Sequence, residues 1–247
     1  MKNKTIIITG ASTGIGKEIA KHFIKKGSNI IINSSNEENL KKAYEELNSP
    51  TKSAYLVGDI RKQETSQKLV KLALEKFNSI DVLINNAGVF SPKPFLDVQE
   101  KDLELYWEVN LKGTFFTSQA VIPQMIKQQN GSIINIGTVL VEHAIGGFPA
   151  TAPITSKGAI HSLTRQLAAE FGKDNIKVNT IAPGIIRSPL QAKIGIEDAD
   201  DLAKLHLLNR IGEVNEVAEA AYYLAQSNFI TGETINIAGG HSVGHNI

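Results

Sequence analysis

Short, unbroken isoleucine blocks constrain this chain more than any other feature. The runs I6-I-I8 and I30-I-I32 are too short for helices and too uniformly apolar for a sheet with one wet face. Side chains alternate across a strand, so a continuous apolar run needs cover on both faces, as in a parallel sheet between helices. Five further runs are strand-like, brief and rich in Ile and Val and often continuous: A54-Y-L-V57, V82-L-I84, I133-I-N-I136, V178-N-T-I181 and I235-N-I237. Between them, residues 37–47, 65–77, 103–128, 154–171 and 214–226 carry the apolar spacing of amphipathic helices. Alternating strands and helices predict an α/β fold, a doubly wound parallel β-sheet of about seven strands with right-handed crossovers. No low-complexity linker or compositional break divides residues 1–247, so one domain is expected.

Composition narrows the partners. The net charge is +1, with Lys and Arg interleaved with Asp and Glu along the helices, which argues against a nucleic-acid surface. The apolar stretch after the first lysines breaks at G10 after a few residues, too short for a signal peptide or a membrane span. No cysteine is present, which removes disulfides and cysteine metal sites and suits a cytoplasmic location. No histidine or acidic cluster shows metal-ligand spacing, so no metal is expected.

The segment T9-G-A-S-T-G-I-G16 follows the first strand and opens the first helix. Glycines there allow a tight turn and close approach of a phosphate, and a helix N-terminus supplies free N–H groups. This is the placement of a dinucleotide-binding turn in a Rossmann-type sheet, with Gly10, Ser12, Thr13, Gly14, Ile15 and Gly16 as the candidate contacts. An acid just after the second strand would accept from a ribose 2′-hydroxyl and repel a 2′-phosphate. Here Ser34 and Ser35 stand there instead, which favours NADP over NAD, although no Arg or Lys occupies 13, 34 or 35. Asp59, followed by Ile60, is either an acceptor for the adenine amine or an exposed turn aspartate.

Together these motifs resemble those of the short-chain dehydrogenase/reductase superfamily, over essentially the whole chain. N85-N-A-G88 is similar to its second signature, placing Asn86, Ala87 and Gly88 beside the cofactor. N110-L-K-G-T-F-F116 resembles the helix whose asparagine kinks the backbone and holds a relay water. I181-A-P-G-I-I-R-S-P189 resembles the Pro-Gly turn that meets the nicotinamide, with Pro183, Gly184, Ile186 and Ser188 as contacts. N209-R-I-G-E-V-N-E-V-A218 and I230-T-G-E-T-I-N-I-A-G-G240 resemble its last helix and strand. The resemblance implies an NAD(P)-dependent oxidoreductase acting on a carbonyl or secondary alcohol, a homodimer or homotetramer, and a substrate lid over residues 188–208. The lid's acidic run at 197–201 reads as a helix start.

The family's chemistry implies a serine, a tyrosine and a lysine four residues after the tyrosine, one helical turn away. Lys157 and Asn110 match their positions, and Thr138 stands in the serine's place with its hydroxyl retained. The tyrosine position is Pro153, and the interval from Thr138 to Pro153 is two residues longer than the common family spacing. The tyrosines are 44, 55, 106, 222 and 223, so no shift of register supplies the phenol. Thr151 reads as the helix cap, with Pro153 tolerated in the first turn. His143, in the loop after strand five, is the candidate replacement acid, because imidazole titrates near neutrality. His241 and His245 fall in a C-terminal tail expected to be solvated. Two readings stay open: an oxidoreductase with an atypical proton source, and a non-catalytic dinucleotide-binding sensor or partner subunit. A non-redox enzyme on the same fold is a third.

Overall fold

In the computed structural model, which describes residues 1–193, 195 and 198–245, each isoleucine block forms a central strand. The strands are β1 (Thr5–Ile8), β2 (Asn29–Ser34), β3 (Ser53–Val57), β4 (Val82–Asn85), β5 (Gly131–Ile136), β6 (Ile176–Pro183) and, after a small pair described below, β9 (Thr234–Ile237). They build one parallel sheet in the order β3-β2-β1-β4-β5-β6-β9. β1, β4, β5 and β6, all interior to the sheet, are buried along their full length, covered by helices on both faces.

The helices are α1 (Gly14–Lys25), α2 (Glu37–Leu47), α3 (Gln63–Phe77), α4 (Glu100–Tyr106), α5 (Gly113–Gln128), α6 (Thr151–Phe171), α7 (Pro189–Lys193) and α8 (Val214–Gln226). They cover the two faces around separate apolar cores. One core joins Ile6, Ile8, Ile30 and Ile32 to Phe23 of α1 and Leu224 of α8. The other joins Ile7, Ile31, Leu83 and Ile133 to Leu69 of α3 and Met125 of α5. Odd and even positions of each isoleucine block thus go to opposite faces, the period-two rule at work.

The stretch 103–128 is not one helix. A π-helical segment at Trp107–Lys112 separates α4 from α5, and the extra residue per turn turns Asn110 inward, where it is fully buried. A short parallel pair, β7 (Ile186–Arg187) with β8 (Gly212–Glu213), lies beyond the main sheet. Between them lies the segment expected to be the lid, with α7 and a 3₁₀ turn at Ala199–Leu205, started by the Asp198 side chain accepting from Asp200 N–H. Of the acidic run at 197–201, Glu197 lies outside the described residues; the rest forms this 3₁₀ turn. No described helix is long and apolar enough to cross a membrane.

Thr151 does not cap α6. It is the first helical residue, Ala150 holds the cap position, and no side chain caps it. An N-cap oxygen usually takes the N–H of the second or third helical residue. The third residue here is Pro153, which has none, so half the reward for a capping side chain is missing.

Candidate active site

The strand order reverses between β1 and β4, and a crevice opens beyond their carboxyl ends, where open α/β sheets bind ligands. A cleft of about 1000 Å³ occupies that place. The expected cofactor contacts Gly10, Ser12, Thr13, Gly14, Ile15, Ser34, Ser35, Asp59, Ile60, Asn86, Ala87, Gly88, Lys157, Pro183, Gly184, Ile186 and Ser188 all line it, as does Thr138.

Gly16 does not line the cleft; it makes the turn possible from behind. A Cβ there would lie 2.4 Å from Asn86 Nδ2 and 2.7 Å from the Gly10 carbonyl oxygen. Asn86 Nδ2 uses that space to donate to the carbonyls of Thr9 and Gly10 at 3.0 and 2.9 Å, tying the glycine turn to β4. Gly10 has φ +63° and its own Cβ position lies 2.6 Å from Ala87 Cα. At the start of α1, Thr13 makes no side-chain cap bond and the first turn has no acid. The first N–H groups of the helix therefore face the cleft at Thr13, Gly14 and Ile15 with their positive end uncompensated, which fits a pyrophosphate.

At the adenosine end, sequence reading missed Asn36, Asn39 and Arg61, which also line the cleft. Arg61 Nη2 lies 2.6 Å from Asp59 Oδ2, and the guanidinium lowers the Asp59 carboxyl below its usual range. Asp59 thus orients a cation in the cleft. The available signal was D59-I-R61 itself, since a turn aspartate accepts from the N–H two residues on, as Asp59 Oδ1 does from Arg61 N–H at 3.0 Å, which brings the two side chains together.

At the other end, Asn110, Gly88 and Lys157 converge. A Cβ on Gly88 would sit 3.2 Å from both Asn110 Oδ1 and Lys157 Nζ. Asn110 does not reach the cleft. Its Oδ1 accepts from Val89 N–H at 2.8 Å and its Nδ2 donates to Val89 O at 3.1 Å and Ser156 Oγ at 2.9 Å. It clamps the segment after β4 to α6. Lys157 Nζ donates to the Ile136 carbonyl at 2.7 Å, and burial lowers its pKa to about 8. Thr138 Oγ1 accepts from Leu140 N–H at 3.3 Å while facing the cleft. Pro153 is buried in the first turn of α6, with its carbonyl accepting from Ser156 Oγ at 2.7 Å, and is not part of the cleft wall.

His143 is not part of the wall either. Its Nε2 lies 2.8 Å from His245 Nε2, so the loop turns this side chain toward the C-terminal segment. That segment is not a solvated tail throughout: His241 is fully buried, against His206 and His143. Among the described residues, no tyrosine or histidine lines the cleft, and its ionisable side chains are Asp59, Arg61, Lys157, Asp201 and Lys204. Phe90 and Phe148 stack with centroids 6.1 Å apart beside Leu140 and Ile145, giving the end beyond Thr138 an apolar wall.

The start of the 188–208 segment lies against the glycine turn. Ser188 Cβ would lie 3.6 Å from a Cβ on Gly14, and Ser188 itself is held by Gln191, whose Oε1 accepts from the Ser188 N–H and hydroxyl. Arg187 bridges Asp200 at 2.6 Å and Glu213 at 3.0 Å, joining the lid to the start of α8.

The profile of the family described as enoyl-(acyl carrier protein) reductase matches residues 10–242. The chain belongs to this family, within the short-chain dehydrogenase/reductase superfamily of NAD(P)-dependent oxidoreductases. It is 34% identical to the 3-oxoacyl-[acyl-carrier-protein] reductase FabG of Thermotoga maritima, over 97% of this chain and 98% of that one. It is 35% identical to the oxidoreductase UcpA of Salmonella typhimurium, over 98% of this chain and 96% of the other. The solved structure of ElxO with NADP bound superimposes with a TM-score of 0.89 at 31% identity, covering 98% of this chain and 99% of that one.

Proposed function

We propose that the protein is an NADP(H)-dependent reductase of an apolar carbonyl compound, working without the family's tyrosine, with Lys157 as the proton source. The observation that carries this reading is the Lys157 ammonium in the cleft wall beside Gly88, in a cleft that Thr138 and Pro183 also line. A bound nicotinamide dinucleotide supplies the hydride. The free N–H groups at the start of α1 hold its pyrophosphate; Gly10 lets the turn pack closely on Ala87, and Gly14 sits beneath Ser188. Thr138 Oγ1 orients the carbonyl oxygen. The Lys157 Nζ proton is delivered to that oxygen as charge develops, a role its lowered pKa suits near neutrality. Phe90, Leu140, Ile145 and Phe148 receive the apolar remainder of the substrate.

The preference for NADP is supported by the serines at 34 and 35 and by Arg61, and by the NADP carried by the ElxO structure. Arg61→Ala is expected to weaken NADPH binding about tenfold or more while changing NADH little, since a hydrogen bond to a charged group contributes roughly 1.5–3 kcal/mol. Fluorescence titration with each cofactor measures this. Equal weakening of both would place Arg61 against the shared part of the dinucleotide.

The reading as a whole is tested by titrating NADPH and then screening apolar ketones and aldehydes for NADPH oxidation. Saturable binding with turnover supports it; binding without turnover on any carbonyl would favour a dinucleotide sensor. The pH profile is a separate check. Lys157 is held below its ordinary value, so it carries its proton below about pH 8 and loses it above. Carbonyl reduction should therefore be flat below about 8 and fall as pH rises through it. An unchanged rate across that range would remove Lys157 as the acid.

The protein is proposed to form a homodimer or homotetramer. Leu96, Leu103, Trp107 and Phe115 stand exposed around α4, the π-helical segment and α5, and Leu96 is 93% exposed. Trp107→Glu is expected to shift the mass in light scattering toward the monomer.

A further inference from the structure

We propose that His143, His241 and His245 form a three-histidine site for one divalent ion of borderline softness, Zn²⁺ being the probe of choice, at the junction of the loop after β5 and the C-terminal segment. Residues 102 apart in the chain are brought together there, and the candidate ligand nitrogens all lie within 4.8 Å of one another. An ion with Zn–N bonds of about 2.0–2.1 Å in tetrahedral geometry holds its donors roughly 3.3 Å apart. The His143 and His245 Nε2 atoms, at 2.8 Å, need only a small opening to admit it.

Two observations point to a ligand and not to a chance meeting of rings. His241 is 0% exposed, and among the described residues neither of its ring nitrogens has a hydrogen-bond partner. A buried polar atom left without a partner is costly, and one metal bond would satisfy a nitrogen that nothing else does. His245 is already set as a ligand: its Nδ1 lies 2.9 Å from the Leu205 carbonyl oxygen. That contact makes Nδ1 the protonated nitrogen and leaves the Nε2 lone pair directed at His143, the arrangement that orients metal-bound imidazoles through a backbone carbonyl. Three imidazoles without a carboxylate among them suit Zn²⁺, Ni²⁺ or Cu²⁺ and disfavour Mg²⁺ and Ca²⁺. The fourth position is left for water.

The site is not part of the cofactor cleft, but it touches two of the segments that line it. His143 belongs to the loop that contributes Leu140, Ile145 and Phe148, and Leu205, the partner of His245, lies in the lid. A bound ion would fasten loop, lid and C-terminal segment at one point. This inference does not depend on the proton source or the cofactor.

The test uses untagged full-length protein freed of metal by chelation. Calorimetric titration with Zn²⁺ should show one site per chain with a Kd of about micromolar or tighter, and Co²⁺ should give the intense visible absorption of a tetrahedral complex. His245→Ala and His143→Ala, both on accessible side chains, should each weaken Zn²⁺ about tenfold or more with unchanged circular dichroism. His22→Ala, on α1, should change nothing. His241→Ala is not used, because removing a fully buried ring risks the fold itself. The proposal is overturned if Zn²⁺ shows no saturable binding up to millimolar concentration, or if either His143→Ala or His245→Ala binds as the unaltered protein does.

Discussion

Lys157→Met should reduce kcat for carbonyl reduction by about 10²–10⁴-fold, the usual cost of removing a positioned general acid. The fold should survive. The ammonium is held against desolvation, so its replacement by an apolar chain of similar length removes a penalty as well as a bond. What is lost structurally is the 2.7 Å donation to the Ile136 carbonyl, about 1–3 kcal/mol if that oxygen is left unpaired. Comparing kcat with KM separates the roles: loss in kcat alone marks the acid, and loss in KM for NADPH alone marks a cofactor contact. Pro153→Tyr is the companion experiment. Pro153 is buried and outside the cleft wall, so a phenol there should overpack the first turn of α6 and yield no gain in rate. A large gain would transfer the acid's role from Lys157 to position 153 and show that the site had been complete except for the tyrosine.

Gly10→Ala should cost the protein both stability and cofactor binding. The residue has φ +63°, where a side chain costs roughly 1–2 kcal/mol, and its Cβ would meet Ala87 Cα at 2.6 Å, an overpacking that adds roughly 1–3 kcal/mol. The contact is with backbone, which cannot rotate away. Against a total stability of about 5–15 kcal/mol this is a large fraction, visible as a lower Tm. NADPH titration of whatever remains folded should show binding weakened at least about tenfold, because the turn that presents the helix N–H groups has moved. Gly14→Ala is the gentler control: φ is +56°, but its nearest neighbour is the Ser188 Cβ at 3.6 Å, so only the backbone strain applies. Equal Tm values for the two variants would mean that the Ala87 contact relaxes freely.

The seven strands could be read from the chain because each is a short, local, largely apolar block, and an unbroken one such as I6-I-I8 is enough to specify a strand covered on both faces. The glycine turn was readable for a similar reason, since its position between strand and helix is itself a sequence fact. The N85-N-A-G88 and Pro-Gly segments were readable only through family resemblance, and the cleft brings them beside the turn. Gly16 shows the limit of that resemblance: the motif marks it, but only packing against Asn86 reveals that it supports the turn and does not face the cleft. Asn110 is similar, buried by a π-helical turn that no apolar periodicity announces.

Sequence alone determined the doubly wound sheet, the place of the dinucleotide turn, and the proline four residues before Lys157. Tertiary structure alone decided which polar groups meet. It clamped Asn110 onto Val89 and Ser156, turned His143 away from the cleft, and buried His241 beside rings from distant parts of the chain. Strands and turns are specified by neighbours in sequence, so their pattern is written locally. A side-chain cluster depends on where loops return in space, and loop paths follow from packing of the whole molecule, which no local spacing records.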